Sequence, residues 1–229
     1  MLTMDTRAIE QIASALAHEV KNPLSLVSAT IKLLAQDDPV LEHQKSYKTI
    51  EKELMKINDL IMQFLTLTQP TTPQFFDLVY LGDLLSESLE KYQNSYPDIR
   101  FDLFNFICHD RELVVLGNAS HLTMLLDNVI KNAIEAIDKE LGQISFFLKE
   151  SQNTIKITAV DNGCGLSDVV KNQIATSFDA PFSFFTTKKM GTGLGLGICH
   201  KIATEHGGSF SIENGNKIGC VVKITLPLA

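Results

Sequence analysis

Long apolar runs, basic clusters and paired cysteines are all missing from this chain. Its 229 residues hold no run of about 18 or more apolar side chains, so no membrane-spanning helix is expected. The opening residues, MLTMDTRAIEQ, lack a basic stretch followed by a continuous apolar core, which argues against a secretory signal. No block of Lys and Arg occurs and the net charge is −7, so nucleic acid and anionic membrane are poor partners. Four cysteines are present, Cys108, Cys164, Cys199 and Cys220, with no CxxC pair and no zinc-ligand spacing to a histidine. They are expected as free thiols, buried or half-buried, in a reducing cytosol, with neither a metal nor a disulfide. The composition, 45% apolar and 21% charged, fits a soluble globular protein of one large or two modest domains.

What is present begins with two apolar stripes. Ile9, Ile12, Leu16, Val20, Leu24, Val27, Ile31 and Leu34 recur at steps of three or four, which predicts a long amphipathic helix. The turn AQDDPV follows, and then a second stripe of Ile50, Leu54, Ile57, Ile61, Phe64 and Leu67. Two such helices make an antiparallel hairpin that covers only part of its own apolar surface. The stripes run most of the helix length, so pairing with a hairpin from a second chain, as a four-helix bundle, is expected over packing on this chain's own C-terminal domain. TQPTTPQ, residues 68–74, reads as the linker, giving a helical domain over 1–70 and a second domain over 75–229.

Beyond the linker the pattern is mixed. FFDLVYL, IRFDLFNFIC and LVVLG read as strands, GDLLSESLEKYQ as a helix, and residues 119–140 as a strong helix. QISFFLKE and NTIKITAVD form a hairpin turning near SQN. GLGLGICHKIATEHGG is a helix that begins and ends in glycines, and GSFSIEN and CVVKITLPL close the chain as strands. This order predicts an α+β layer with helices over one face of a mixed sheet.

Three local patterns carry chemistry. Asn128 and Asn132 lie one turn apart on one helix face, where asparagine is a mediocre helix former. They are either capped or solvated amides, or oxygens aimed into a cleft for a hard cation or phosphates, with Glu135 on the same rim. In VDNGCGL, Asp161 ends a β-rich run ahead of Gly163 and Gly165. This is either a common turn or an acceptor for an amino donor, such as that of adenine, with the backbone close by. In TTKKMGTGLGLGICHKI, Gly191, Gly193, Gly195 and Gly197 alternate directly before a helix, with Lys188 and Lys189 upstream. Bared N–H groups at a helix start suit a polyphosphate, and a plain hinge is a poor reading for four such glycines.

In this order and spacing, the Asn-bearing helix, DNGCGL, FFTTK and GTGLGLGI resemble the N, G1, F and G2 boxes of histidine kinases, over roughly residues 75–229. The fold implied is the α+β nucleotide-binding sandwich shared with gyrase-like ATPases. The upstream hairpin, with HEVKNPL, resembles the dimerisation and phosphoacceptor helices of the same kinases over roughly residues 5–70. The resemblance implies an ATP- and Mg²⁺-dependent, homodimeric cytoplasmic kinase that phosphorylates His18 and passes the phosphate to an aspartate of a response regulator. His18 lies off the apolar stripe, facing solvent. The remaining histidines, His43, His109, His121, His200 and His206, are read as ordinary surface residues.

The resemblance also distributes roles. Glu19 orients His18 and takes its proton, and Asn22, in the pattern Glu19-Val20-Lys21-Asn22, positions water for removing phosphate from the regulator. Apart from the resemblance, Pro23 lacks an N–H and tends to kink a helix, so it is expected to permit bending beside His18 when the catalytic domain docks. Asn132 is the Mg²⁺ ligand. Asn128 stands where gyrase-like ATPases carry a water-activating glutamate, which favours transfer over hydrolysis. Asp161 contacts adenine, Gly163 and Gly165 shape the turn beneath it, and Gly191, Gly193 and Gly195 flank the phosphates, with Lys188, Thr192 and Leu194 beside them. Two departures stand out. The lid, SFDAPFSFFTTKK, is longer than the compact form, and Cys220 replaces an expected threonine, so a hydroxyl contribution is lost. With 17 residues ahead of His18 no sensor domain fits, so either input comes from another protein or a cytosolic ligand, or the chain is a fragment of a longer kinase. The rival readings are a phosphotransferase that accepts phosphate on His18 without binding ATP, against which the intact glycine motifs speak, and a non-enzymatic regulator that binds partners through the hairpin.

Overall fold

The computed structural model describes residues 6–37, 44–68, 76–106, 113–138, 141–177, 193–216 and 218–229. The chain divides into two compact units, Met1–Pro70 and Thr71–Ala229.

The first unit is the hairpin, α1 (Thr6–Asp37) and α2 (Lys45–Thr68). The helices pack antiparallel, and Lys21 of α1 donates to the Met62 sulfur near the end of α2 (3.9 Å). Each apolar stripe is divided. Leu24, Ile31, Leu54, Ile61 and Leu67 are half-buried, whereas Val20, Val27, Leu34, Ile50, Ile57 and Phe64 keep 39 to 52% of their surface exposed. Pro23 sits inside α1. Lacking an N–H, it deprives the Glu19 carbonyl of its helical donor at the position adjoining His18.

The second unit is built on a five-stranded sheet ordered β2-β4-β5-β7-β6, from β2 (Ile99–Phe106), β4 (Gly142–Ser151), β5 (Thr154–Asp161), β6 (Ser209–Asn214) and β7 (Cys220–Pro227). Strands β2 and β4 are parallel and the other pairs antiparallel. A parallel neighbour demands a crossover. Here it runs through β3 (Val114–Gly117) and α4 (Ala119–Ala136), and β3 pairs with β1 (Asp77–Tyr80) as a separate ribbon. Alternation along the central strands turns Ile144, Phe146, Leu148, Ile155, Ile157, Ile224 and Leu226 inward. Lys149, Lys156 and Lys223 point to the opposite, exposed face. Against the apolar face lie α3 (Leu81–Ser95), α4 and α6 (Gly195–Glu205), contributing Leu85, Leu122, Leu126, Ile130, Ile198 and Ile202.

Two details differ from the sequence pattern. The strong helix stops at Ala136, because Ile137 turns extended and the Ala136 carbonyl is taken by the Cys164 N–H (2.9 Å). A helix not anticipated, α5 (Asp168–Ser177), follows the DNGCGL turn and places Val170 in the core.

Candidate nucleotide site

The site is assembled around the second half of α4. Its start is secured by Asn118, whose side chain accepts the His121 N–H (3.1 Å) as an N-cap. Asn128 is buried, and its amide nitrogen donates back to the Met124 carbonyl (3.0 Å), which turns Oδ1 outward from the helix. Across from it stands Gly195, the first residue of α6. A Cβ there would lie 3.3 Å from Asn128 Oδ1 and 3.7 Å from Asn132 Nδ2. With no side chain on Gly195, the α6 N-terminus, the positive dipole end of the helix, stands close to both amides. Asn132 is half-buried and Glu135 is exposed one turn nearer the end of the helix.

At that end the DNGCGL turn docks. A Cβ on Gly163 would meet the Ala136 carbonyl oxygen at 2.6 Å, so only glycine allows this approach. Asp161, itself buried, accepts from the Gly163 N–H (2.9 Å) and the Cys220 N–H (3.2 Å), both on Oδ1. Oδ2 is outside both bonds. Burial pushes this carboxyl above its ordinary range, and the two N–H donors pull it part of the way back. Gly165, at φ +78°, completes the turn, and Leu166 donates to Asn214 Oδ1 (2.6 Å). Adenine's amino group, a donor, matches a carboxylate oxygen held in this way. The two predicted patches therefore converge: Gly195 lies over Asn128 and Asn132, and the Asp161 turn lies against Ala136, one turn beyond Asn132.

Gly193, at φ +70°, and buried Leu194 lead directly into α6. Lys188, Gly191 and Thr192 lie outside the described residues, as does the lid segment that contains Lys188. His18 belongs to α1, but its side chain is outside the described residues; Glu19 and Asn22 are exposed on that helix.

Several expectations need correction. Cys164 is exposed rather than buried, whereas Cys199 and Cys220 are buried; all three are free, and Cys108 lies outside the described residues. What position 220 supplies to Asp161 is its backbone N–H, for which no hydroxyl is needed. The buried Cys220 thiol is pushed up to about 12 by desolvation and by the neighbouring Asp161 carboxylate. Of the histidines read as surface residues, His206 is buried and His121 and His200 are half-buried, while His43 and His109 lie outside the described residues.

The pattern also passed over the residues that hold the turn in place. Asn162 accepts the Gln143 N–H (2.9 Å) and donates to the Leu141 carbonyl (2.9 Å), and Asn214 clamps Leu166 from the other side. Gly219, at φ +72°, lets Asp161 approach where a Cβ would stand 1.8 Å from the Asp161 carbonyl oxygen. An asparagine directly after the site aspartate was the available signal for the first of these. Nothing local marks the other two, which act across the sheet.

Comparison with known proteins agrees with this geometry. Residues 117–229 match the family described as histidine kinase-, DNA gyrase B-, and HSP90-like ATPase, and residues 8–73 match the His Kinase A (phospho-acceptor) domain. Sporulation kinase D of Bacillus subtilis (strain 168) is 31% identical over 221 residues, 96% of this chain and 42% of that protein. The sensor histidine kinase ZraS of Escherichia coli (strain K12) is 31% identical over 223 residues, 96% of this chain and 46% of that protein. The solved catalytic domain of histidine kinase ThkA superposes with a TM-score of 0.55 at 30% identity, covering 67% of this chain and 95% of that one. The chain belongs to the two-component sensor histidine kinases. It joins a helical phosphoacceptor region to a mixed-sheet ATPase domain of the gyrase and HSP90 kind. It spans less than half the length of these two curated relatives.

Proposed function

We propose that this chain is an ATP-dependent protein histidine kinase that phosphorylates His18 and passes the phosphoryl group to an aspartate of a response-regulator receiver domain. The observation that carries the reading is the convergence on α4, where Asn128 and Asn132 face the glycine start of α6 and Asp161 is fixed against the helix end. Residues 75–229 form the catalytic part and residues 1–70 the phosphoacceptor part, which works in the cytoplasm as a homodimer. The half-covered apolar stripes of α1 and α2 support the dimer, because a second hairpin would complete a four-helix bundle.

In this reading Asp161 Oδ2 accepts the adenine amino group. The α6 N-terminus, with Gly191, Gly193, Leu194 and Gly195, receives the phosphates, with Lys188 and Thr192 beside them. Asn132 supplies the protein's oxygen to Mg²⁺. The donor set fits that ion, since Mg²⁺ is held by few protein oxygens together with substrate phosphates. Among the described residues no group of three acidic, His or Cys side chains stands ready as a protein cage. Glu135 extends the polar rim. Asn128, anchored to Met124 and lacking an acidic oxygen, cannot activate water, which protects the nucleotide for transfer. A ring nitrogen of His18 forms the bond to the γ-phosphorus as the bond to the bridging oxygen breaks and ADP leaves. The proton on the other ring nitrogen passes to Glu19. Asn22, one turn on, positions the water that removes phosphate from the regulator.

The test is retention of γ-labelled phosphate from ATP and Mg²⁺ and its chase onto a receiver domain. Asn132→Ala should abolish retention while the thermal melt stays within a few degrees of wild type, because the amide lies on a cleft rather than in the core. Labelling of the variant at the wild-type rate would remove Asn132 from the metal.

A further inference from the structure

Helix α6 runs antiparallel to α4 and meets it at three points. At its start Gly195 lies against Asn128 and Asn132. One turn on, the buried Cys199 thiol donates to the Leu125 carbonyl (3.6 Å). At its end His206, 5% exposed, accepts the Asn118 N–H on Nε2 (3.0 Å). Its Nδ1 lies 2.7 Å from the Ile202 carbonyl, an acceptor, so Nδ1 carries the proton and Nε2 is the bare nitrogen. The ring stacks on Phe76 (4.7 Å between centroids), and Gly117 leaves room for it, since a Cβ there would lie 2.6 Å from Cδ2. Behind the ring Gly207, at φ +71°, and Gly208 close the helix, donating to the Thr204 (2.9 Å) and Ala203 (2.8 Å) carbonyls. The ring is thus held by its stack on Phe76, at both nitrogens and along the chain.

We infer that His206, as the neutral Nδ1–H tautomer, is a positioning residue that sets the axial register of α6 on α4. It thereby holds the phosphate-facing glycines over Asn128 and Asn132. This rests on the nucleotide-site reading proposed above. Asn118 is the N-cap of α4, so the His206 bond ties the C-terminus of one site helix to the N-terminus of the other. Helices rise about 1.5 Å per residue, so slippage by a single residue would carry Gly195 off the two amides. A protonated ring would carry hydrogen on both nitrogens and could no longer accept from Asn118. The charged and titratable groups around it are His121 on α4 and Glu205 on α6, the latter paired with Lys201. Burial lowers the ring's affinity for a proton, and the Ile202 carbonyl and Glu205 only partly offset this. The folded chain therefore prefers the neutral ring. The contact is complete above the ordinary histidine range, and its contribution is lost as pH falls from there toward the lower value of the buried ring.

The experiment compares the wild-type full chain with His206→Gln and His206→Phe, titrating each with ATP and Mg²⁺ by calorimetry from about pH 8 to about pH 5, with thermal melts in parallel. Glutamine can still accept from Asn118, and phenylalanine keeps the stack but strands the N–H. At pH 8 His206→Phe should bind about ten-fold more weakly, as expected if the aligned register falls to about a tenth of the population. His206→Gln should stay within about three-fold of wild type. On acidification the wild type should lose affinity relative to His206→Gln, a difference that cancels titration of the nucleotide itself. Nitrogen NMR of the ring should show Nδ1 protonated and Nε2 bare at pH 8. A folded His206→Phe binding like wild type, parallel pH profiles for wild type and His206→Gln, or the opposite tautomer would each overturn the inference. If His206→Phe does not fold, the pH comparison and the tautomer decide. If the wild type binds no ATP at any pH while the tautomer is as stated, the nucleotide-site reading fails rather than the helix clamp.

Discussion

Replacing Asp161 by asparagine changes one atom and tests the adenine end of the site. Oδ1 of Asp161 accepts two backbone N–H groups, from Gly163 and Cys220. In Asp161→Asn the amide oxygen must take that place, because the flipped amide would set an NH₂ group against two donors. The nitrogen is therefore forced onto the Oδ2 position, where it presents a donor to adenine's amino group. Leaving that group without an acceptor costs about 1–3 kcal/mol. At about 1.4 kcal/mol per factor of ten, this is roughly a 5- to 150-fold loss of ATP affinity. The fold should change little. The variant loses some strength in two hydrogen bonds to a charged oxygen, but it also removes a carboxylate whose burial already disfavours its charge. Calorimetric titration with ATP, alongside a thermal melt, separates the two effects. Equal affinity in the two proteins would refute the adenine contact, and a collapsed melt would show that Asp161 serves the turn rather than the nucleotide.

Two further substitutions probe the frame and the phosphoacceptor helix. Gly163→Ala places a Cβ 2.6 Å from the Ala136 carbonyl oxygen, which also accepts the Cys164 N–H, so the turn must lift from α4. We expect about 1–3 kcal/mol of lost stability in denaturant unfolding together with weaker ATP binding, and a stability equal to wild type would refute the docking. Asn22→Ala should leave autophosphorylation intact and slow dephosphorylation of the regulator, since an exposed helical position gains propensity from alanine and loses only the group that orients water. Phosphate removed as fast as by wild type would sink that role.

The parts of the site that could be read from the sequence are those whose chemistry is local. Asn128 and Asn132 share a helix face by spacing alone, and the alternating glycines announce a helix start with bared N–H groups. The paired helices of the first unit follow from the periodicity of the two stripes. What escaped is what acts across the fold. His206 looked like a surface histidine at a helix end because Asn118 and Phe76, which enclose it, stand 88 and 130 residues away in sequence. Gly219 and Asn214 belong to the far hairpin and gain meaning only once β7 pairs with β5. Helix α5 escaped for a different reason. It is short, with Val170 as its buried apolar anchor, so it carries almost no periodic signal.

In the proposed reaction a nucleotide held at α4 and α6 is consumed to phosphorylate His18. Incubation of the purified chain with γ-labelled ATP and Mg²⁺, wild type beside His18→Ala, tests it most directly, with both proteins first shown to bind ATP equally. The wild type should acquire an acid-labile, alkali-stable phosphate and His18→Ala none. Equal labelling of His18→Ala, or a wild type that binds ATP with Mg²⁺ and never acquires label, would contradict it.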